Sequence, residues 1–225
     1  VISKEPVTEY LPLQKNDDVL ITSHRYSPQY QSEEKAGKYC VQFMTFKNTP
    51  NGMHILNWWR NACLDWCYNR YEDGKFGDQK YLDDWPTRFQ GVHELEHLGG
   101  GVAPWNMQQY TFAKQNKQYI GTETNTGDTF SLVFFHFHAC HCYQKGWLRE
   151  FNYQWYDWNQ NSWQLLFVPY ARDLVRAFRV MRNIDNGIDG VATQSQPIQM
   201  WWAYLMRIRH RYFTENDFRY YYWID

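Results

Sequence analysis

GVHELEHLGGG (91–101) contains HELEH, which satisfies the zinc-peptidase pattern H-E-x-x-H at His93, Glu94 and His97. That chemistry requires a helix, where histidines four apart stand one turn above each other and converge on one ion, with the glutamate as general base. The surroundings oppose a helix. Pro86 and Gly91 precede the run, and Gly99, Gly100 and Gly101 follow it at once. The uninterrupted stretch Val92 to Leu98 is too short for two full turns. As a strand the same residues sort cleanly. Val92, Glu94, Glu96 and Leu98 face one way, and His93, Leu95 and His97 the other. Histidines four apart on a strand are about 13 Å from one another, too far to share a metal. The extended motif is also incomplete, since Ala103 stands where a third histidine belongs. A strand here predicts an α/β chain; a zinc metallohydrolase through residues 93–97 is the alternative.

The neighbouring segments fit the strand. VLITSHRYSP (19–28) reads as a buried strand ending at His24-Arg25, and KYCVQFMTFKN (38–48) alternates with period two. Thr49-Pro50 then opens a helix that carries Met53, Leu56, Trp59, Cys63, Trp66 and Cys67 at three- and four-residue steps and stops at Asp73-Gly74. FGDQKYLDDWP (76–86) predicts a short helix closed by Pro86, and 113–129 a polar loop. SLVFFHFHACHCY (131–143) predicts a dense strand with His136, His138, Cys140 and Cys142 on one face. Successive same-face residues are about 6.8 Å apart, so two neighbours could share an ion but four could not. On this pattern alone, semi-buried polar side chains at a strand end are the preferred account. The rest predicts helices, over 162–183 and from Ile198 to Phe213.

At 225 residues the chain holds one domain, or one domain with an appendage. A net charge of −1 removes any global electrostatic case for nucleic acid. The aromatic share of 20% suits either a ring-rich core or stacking on sugars. Five scattered cysteines imply no disulfide framework and fit a reducing compartment. Cys63 and Cys67 fit one helical face better than a metal site. The sequence shows no signal peptide and no apolar run of about 18 residues.

Read together, ITSHRYSPQY (21–30), KYCVQFMTFKN (38–48), residues 58–86, GGGVAPWN (99–106) and LVFFHFHAC (132–140) resemble bacterial nucleotide-sugar glycosyltransferases of the GT-A fold, in a polysaccharide-biosynthesis group distantly similar to glycogenin and galactosyltransferase-like enzymes. EDGKFGDQKYLDDWP (72–86), after a Trp-rich helix, is the most specific carrier. The resemblance implies an α/β fold with a GT-A-like mixed sheet flanked by helices, and a catalytic region over 1–160 with a helical C-terminal extension over 161–225. It implies transfer of a sugar from a nucleotide-diphosphate donor to a glycan or lipid-linked acceptor. Asp78 and Gln79 would sit at the donor sugar, near its anomeric carbon. His24, Arg25, Trp105 and Asn106 would line the substrate. His136, with His138 second, would bind a divalent cation, Mn²⁺ or Mg²⁺, that neutralises the leaving diphosphate. Retention of configuration, a cytoplasmic location and peripheral association with the inner face of the membrane follow from the same likeness. An aromatic, non-catalytic carbohydrate-binding module is a further alternative.

The sequence also departs from that pattern. Asp-x-Asp is absent, the adjacent Asp pairs being Asp17-Asp18 and Asp83-Asp84, and the nucleotide-binding N-terminal half is expected to lie ahead of VISKEPV. Gln42 and Ala139 stand where the family tends to carry glycine.

Overall fold

Val19–Ser23 (β1) is buried along its whole length, as a central strand of apolar and small side chains should be. In the computed structural model, which describes residues 16–116, 118–138, 140–145, 148–153, 156–185 and 221–224, β1 lies between two partners. Tyr39–Phe46 (β2) runs antiparallel to it, and Val92–Glu94 (β3) runs parallel. The HELEH segment is therefore extended. Leu95 N continues the pairing by donating to Ile21 O at 2.9 Å, and the chain reaches a 3₁₀ turn only at Leu98–Gly100. The helical platform that a zinc peptidase needs is missing at these residues, and the His93 ring turns instead to Asp17, 3.8 Å away.

β1 feeds two cores by alternation. Val19 and Ile21 join Tyr39, Ile55, Leu82 and Trp85, while Leu20 packs with Leu95, Phe43 and Phe134. Trp85 is fully buried, with Phe46, Trp58, Trp59 and Phe89 about its ring at centroid distances of 6.0–6.4 Å. The aromatic surplus here fills a core. The period of two expected over 38–48 does not hold. Leu20 pairs with Thr45 but Thr22 with Cys40, so β2 bulges between them. Val41 and Met44 consequently pack on the same core, and Thr22 Oγ1 donates to Phe43 O at 3.0 Å. Bulges of this kind re-aim side chains and gather near sites.

Pro50–Asp65 (α1) starts where the sequence says. Thr49 Oγ1 accepts from Gly52 N at 3.0 Å and donates to Asp18 Oδ1 at 2.6 Å. The helix stops at Asp65, ahead of the expected Asp73-Gly74, because Trp66 is already extended. The expected helix over 76–86 is a 3₁₀ turn, Lys80–Leu82, followed by Trp85–Arg88 (α2). Pro86 opens α2 instead of closing its predecessor, at a position where a missing N–H costs nothing.

The expected loop 113–129 is largely sheet. Tyr110–Gln115 (β4), Gln118–Glu123 (β5) and Thr129–Ser131 (β6) form an antiparallel meander. Only Tyr110 and Phe112 of β4 are buried, so one thin apolar face supports polar strands that composition alone assigns to a loop. The expected strand 131–143 is also broken. β6 ends at Ser131, Leu132–His136 is held by scattered backbone bonds, and the next strand starts at Cys140. His136 and His138 thus precede that strand.

Residues 1–136 and 137–225 form two compact units. In the second, Cys140–Lys145 (β7), Leu148–Tyr153 (β8) and Tyr221–Ile224 (β9) form an antiparallel sheet. Within the helical extension expected over 161–225, Tyr221–Ile224 is therefore a strand. The helix expected over 162–183 is present: Asn159 Oδ1 caps a turn at Gln160–Ser162, a π-helical turn spans Trp163–Phe167, and Val168–Ile184 (α3) continues. The helix expected at 198–213, and residues 1–15, lie outside the described residues. The result is an α/β chain with a mixed sheet flanked by helices. No helix among the described residues is long and apolar enough to cross a membrane.

Candidate functional site

In open α/β sheets, ligands settle outside the carboxyl ends of the strands. β1 and β3 run parallel, and both end toward residues the sequence singles out. His24 directly follows β1 and is 3% exposed. Its backbone N and its ring Nδ1 both approach Lys38 O, at 3.0 and 3.1 Å. A carbonyl only accepts, so Nδ1 carries the hydrogen and Nε2 keeps its lone pair. Burial pushes the His24 pKa down to about 4, with His136 adding to the effect and backbone hydrogen bonds at Lys38 and Gly37 opposing it. This imidazole is neutral at pH 7.

Four rings meet there. His24 stacks on Tyr26 with centroids 4.7 Å apart, meets Trp105 edge-on at 5.1 Å, and Trp105 in turn lies 5.2 Å from His136. Trp105 and Asn106, expected at the substrate, are 3% and 1% exposed. They reach the strand end through one atom: Trp105 Nε1 and Asn106 Nδ2 both donate to His24 O, at 2.9 and 2.8 Å. Asn106 also donates to Gly101 O at 2.8 Å and accepts from Ala103 N at 2.9 Å, which closes the turn after the glycine run. That run is a packing device. A Cβ on Gly99 would lie 1.9 Å from Ser131 O, so only glycine lets the two backbones cross.

Arg25 takes a left-handed conformation, φ 49°, which is uncommon outside glycine and concentrates at functional sites. Its guanidinium donates to Leu95 O and to His97 O, the latter at 3.4 Å, and burial lowers its pKa. Burial, and then the Arg25 charge, also lower that of His97. Beside it, neither amide atom of Gln42 meets a hydrogen-bond partner among the described residues, although both are buried. The β2 bulge turns this amide inward. A Cβ placed on Gly101 would come within 3.5 Å of Gln42 Nε2 and 3.6 Å of Arg25 Nη1.

Asp78 and Gln79 lie at the other side of the start of β2. Trp59 Nε1 donates to Asp78 O at 2.9 Å, Gln79 Nε2 to Ala36 O at 3.4 Å, and Lys38 N to Asp83 Oδ1 at 2.8 Å. The Asp78 carboxylate adds to the upward shift of the Cys40 thiol, to about 12, and of the Cys63 thiol, to about 11, both driven first by burial. Lys38 is therefore a joint: its N–H holds the Asp78–Asp83 segment, and its carbonyl holds His24. Two groups of residues far apart in sequence are tied to opposite ends of one amino acid.

His138 belongs to the second unit, where its ring meets Tyr156 edge-on at 6.1 Å. Among the described residues no group of three or more His, Cys, Asp or Glu side chains could hold a metal ion. The described residues therefore do not fit a complete divalent-cation site on their own.

A cleft of about 180 Å³ opens beside His24, lined by Ser23, Arg25, Tyr26, Gln31, Glu34, Lys38 and Gln109. Its far wall is a 3₁₀ helix, Pro28–Ala36, which the sequence does not announce. Lys38 Nζ lies 3.2 Å from Glu94 Oε2 and 3.0 Å from Tyr39 Oη, and Tyr39 Oη donates to the same carboxylate at 2.9 Å. Glu94, the general base of the discarded peptidase reading, thus anchors the rim. Sequence reasoning missed Tyr26, Gln31, Glu34 and Lys38, because they share no motif. The one available signal was their position, just past β1 and just before β2.

No family model matches the chain, and no solved structure does. Over 161 residues, 69% of its length, it is 28% identical to the uncharacterized protein YfnD of Bacillus subtilis (strain 168), and over 136 residues, 59% of its length, 31% identical to the uncharacterized protein YfnF of the same organism. These alignments cover 49% and 43% of those two proteins. The chain spans about half the length of the curated relatives it matches.

Proposed function

We propose that this chain is the acceptor-side and C-terminal part of a GT-A-like glycosyltransferase, which moves a sugar from a nucleotide-diphosphate donor to a glycan or lipid-linked acceptor in polysaccharide biosynthesis. One observation carries the reading. The segment with the strongest family likeness, around Asp78-Gln79, is fastened to the same residue, Lys38, that fixes His24 at the carboxyl end of β1.

In this reading the Asp78 carboxylate and the Gln79 amide accept and donate hydrogen bonds to donor-sugar hydroxyls. The carboxylate also opposes the positive charge that builds at the anomeric carbon as the diphosphate leaves. Neutral His24 and cationic Arg25 stand at the strand end, and Trp105 and Asn106 hold that end in place. The likeness also implies a divalent cation, Mn²⁺ or Mg²⁺, with His136 as its first candidate imidazole and His138 as the alternative. A cytoplasmic location, with peripheral attachment to the inner face of the membrane, suits such an acceptor.

The test is release of nucleoside diphosphate by the full-length protein with Mn²⁺ across a panel of nucleotide sugars. Turnover should fall about a hundredfold in Asp78→Asn, with the melting temperature unchanged. Absence of both transfer and hydrolysis across the panel overturns the reading. A non-catalytic glycan-binding module is the second reading, favoured by the aromatic and polar cleft beside His24; it would bind oligosaccharide and ignore nucleotide.

A further inference from the structure

We propose that the cleft between the end of β1 and the 3₁₀ helix Pro28–Ala36 binds a single neutral sugar ring, with Tyr26 as its platform and Gln31 and Glu34 as its hydroxyl-reading groups. Binding itself stands apart from the transferase reading; only the ring's identity as the terminal residue of the acceptor glycan rests on that reading.

Size comes first. At about 180 Å³ the space falls below the roughly 300 Å³ at which pockets for drug-sized ligands begin. One six-membered ring is the scale that remains. Chemistry then selects the kind of ring. Tyr26 lines the cleft, and stacking on His24, at an interplanar angle of 11°, fixes its orientation. A ring already held this way loses little freedom when a ligand arrives. Pyranose C–H faces lie well on such a surface, while their hydroxyls point outward to polar groups.

Those groups are present. The Gln31 amide donates to the Glu34 carboxylate, which orients both planar groups before any ligand enters. A carboxylate and an amide each offer two polar atoms side by side, the arrangement that meets vicinal hydroxyls with paired hydrogen bonds. Gln109 contributes differently. Its Nε2 is committed to Arg25 O at 2.8 Å, so Oε1 is the atom it can offer to a hydroxyl.

Charge and geometry disfavour the obvious competitor. A phosphate is held best by cationic donors aimed into the cleft. The ammonium of Lys38 is answered by Glu94 at 3.2 Å, the Arg25 guanidinium spends donors on the neutral carbonyls of Leu95 and His97, and the Glu34 carboxylate in the cleft wall would repel an anion. A neutral polyhydroxylated ring satisfies these groups without a charge to bury.

The experiment is saturation-transfer difference NMR on the full chain, with the methyl glycosides of glucose, galactose, mannose and N-acetylglucosamine and with inorganic phosphate as separate probes, no nucleotide present. At least one glycoside should bind with a Kd of about millimolar, and affinity should fall at least about tenfold in Gln31→Ala and in Glu34→Ala. Gln31 is exposed and Glu34 half-buried, so circular dichroism melting curves of both variants should match the wild type. The proposal is overturned if no glycoside binds, if binding survives both substitutions, or if phosphate binds in their place. Failure here with donor turnover intact removes the sugar cleft and leaves the transferase. Binding here without donor turnover removes the transferase and leaves the cleft.

Discussion

Acidification should destabilise the first unit of this protein through one buried imidazole, and a His24→Asn variant should be relieved of that dependence. In the unfolded chain His24 takes up its proton around 6.5, whereas the folded protein holds it down to about 4. Between those values the unfolded state binds the extra proton, so stability rises with pH there and is lost as pH falls. The contribution is fully present above about pH 6.5 and gone below about pH 4. Each tenfold change in proton affinity is worth about 1.36 kcal/mol. The difference between 6.5 and about 4 therefore amounts to about 3 kcal/mol, most of it already lost by about pH 4.5. Asparagine retains a side-chain N–H that can reach Lys38 O but has nothing to protonate. It also gives up the stacking on Tyr26, which lowers stability by an amount that does not change with pH. The assay is urea unfolding followed by tryptophan fluorescence at several pH values between about 7.5 and 4.5, for both proteins. Carboxylates common to both cancel in the difference. The wild type should lose about 2–3 kcal/mol more than the variant over that range. Parallel curves would refute the reasoning, as would an NMR titration placing the His24 midpoint near 6.5.

Two further outcomes follow from packing. Gly99→Ala places a Cβ 1.9 Å from the backbone oxygen of Ser131; since backbone cannot yield as a flexible side chain does, the loss should exceed about 3 kcal/mol, visible as a lowered urea midpoint or as insoluble protein. Gly74→Ala, with nothing within 4 Å of the added carbon but φ at 76°, serves as its control and should cost only about 1 kcal/mol. Thr49→Ala removes the oxygen that caps α1 at Gly52 N and the hydroxyl that donates to Asp18. It should lower stability by about 1–2 kcal/mol in the same urea assay, while Thr49→Ser should stay close to wild type.

Local chemistry made parts of this fold readable. The glycines and the proline around HELEH leave no room for a helix, and the segment is extended. Thr49-Pro50 carries its capping oxygen and its preset φ within two residues, so the start of α1 was plain, as was the helical stripe over 162–183. Errors came where the deciding partner is remote. The β4–β5 hairpin is polar because a single face, carried by Tyr110 and Phe112, is all it buries. The β2 alternation failed because a bulge imposed by pairing with β1 moved Val41 and Met44 to one core.

The candidate site divides along the same line. Sequence by itself determined which residues end β1, which glycines form the turn before Trp105-Asn106, and that the HELEH histidines stand on extended backbone, since each depends on neighbours a few positions away. Only the tertiary structure decided that His24 is neutral, that Trp105 and Asn106 hold its carbonyl, and that Asp78–Asp83 is tied to Lys38. Only the structure, too, brings Gln31, Glu34 and Gln109 around one cleft. Desolvation and hydrogen-bond geometry at these points are set by groups far away along the chain, and no local pattern encodes their approach.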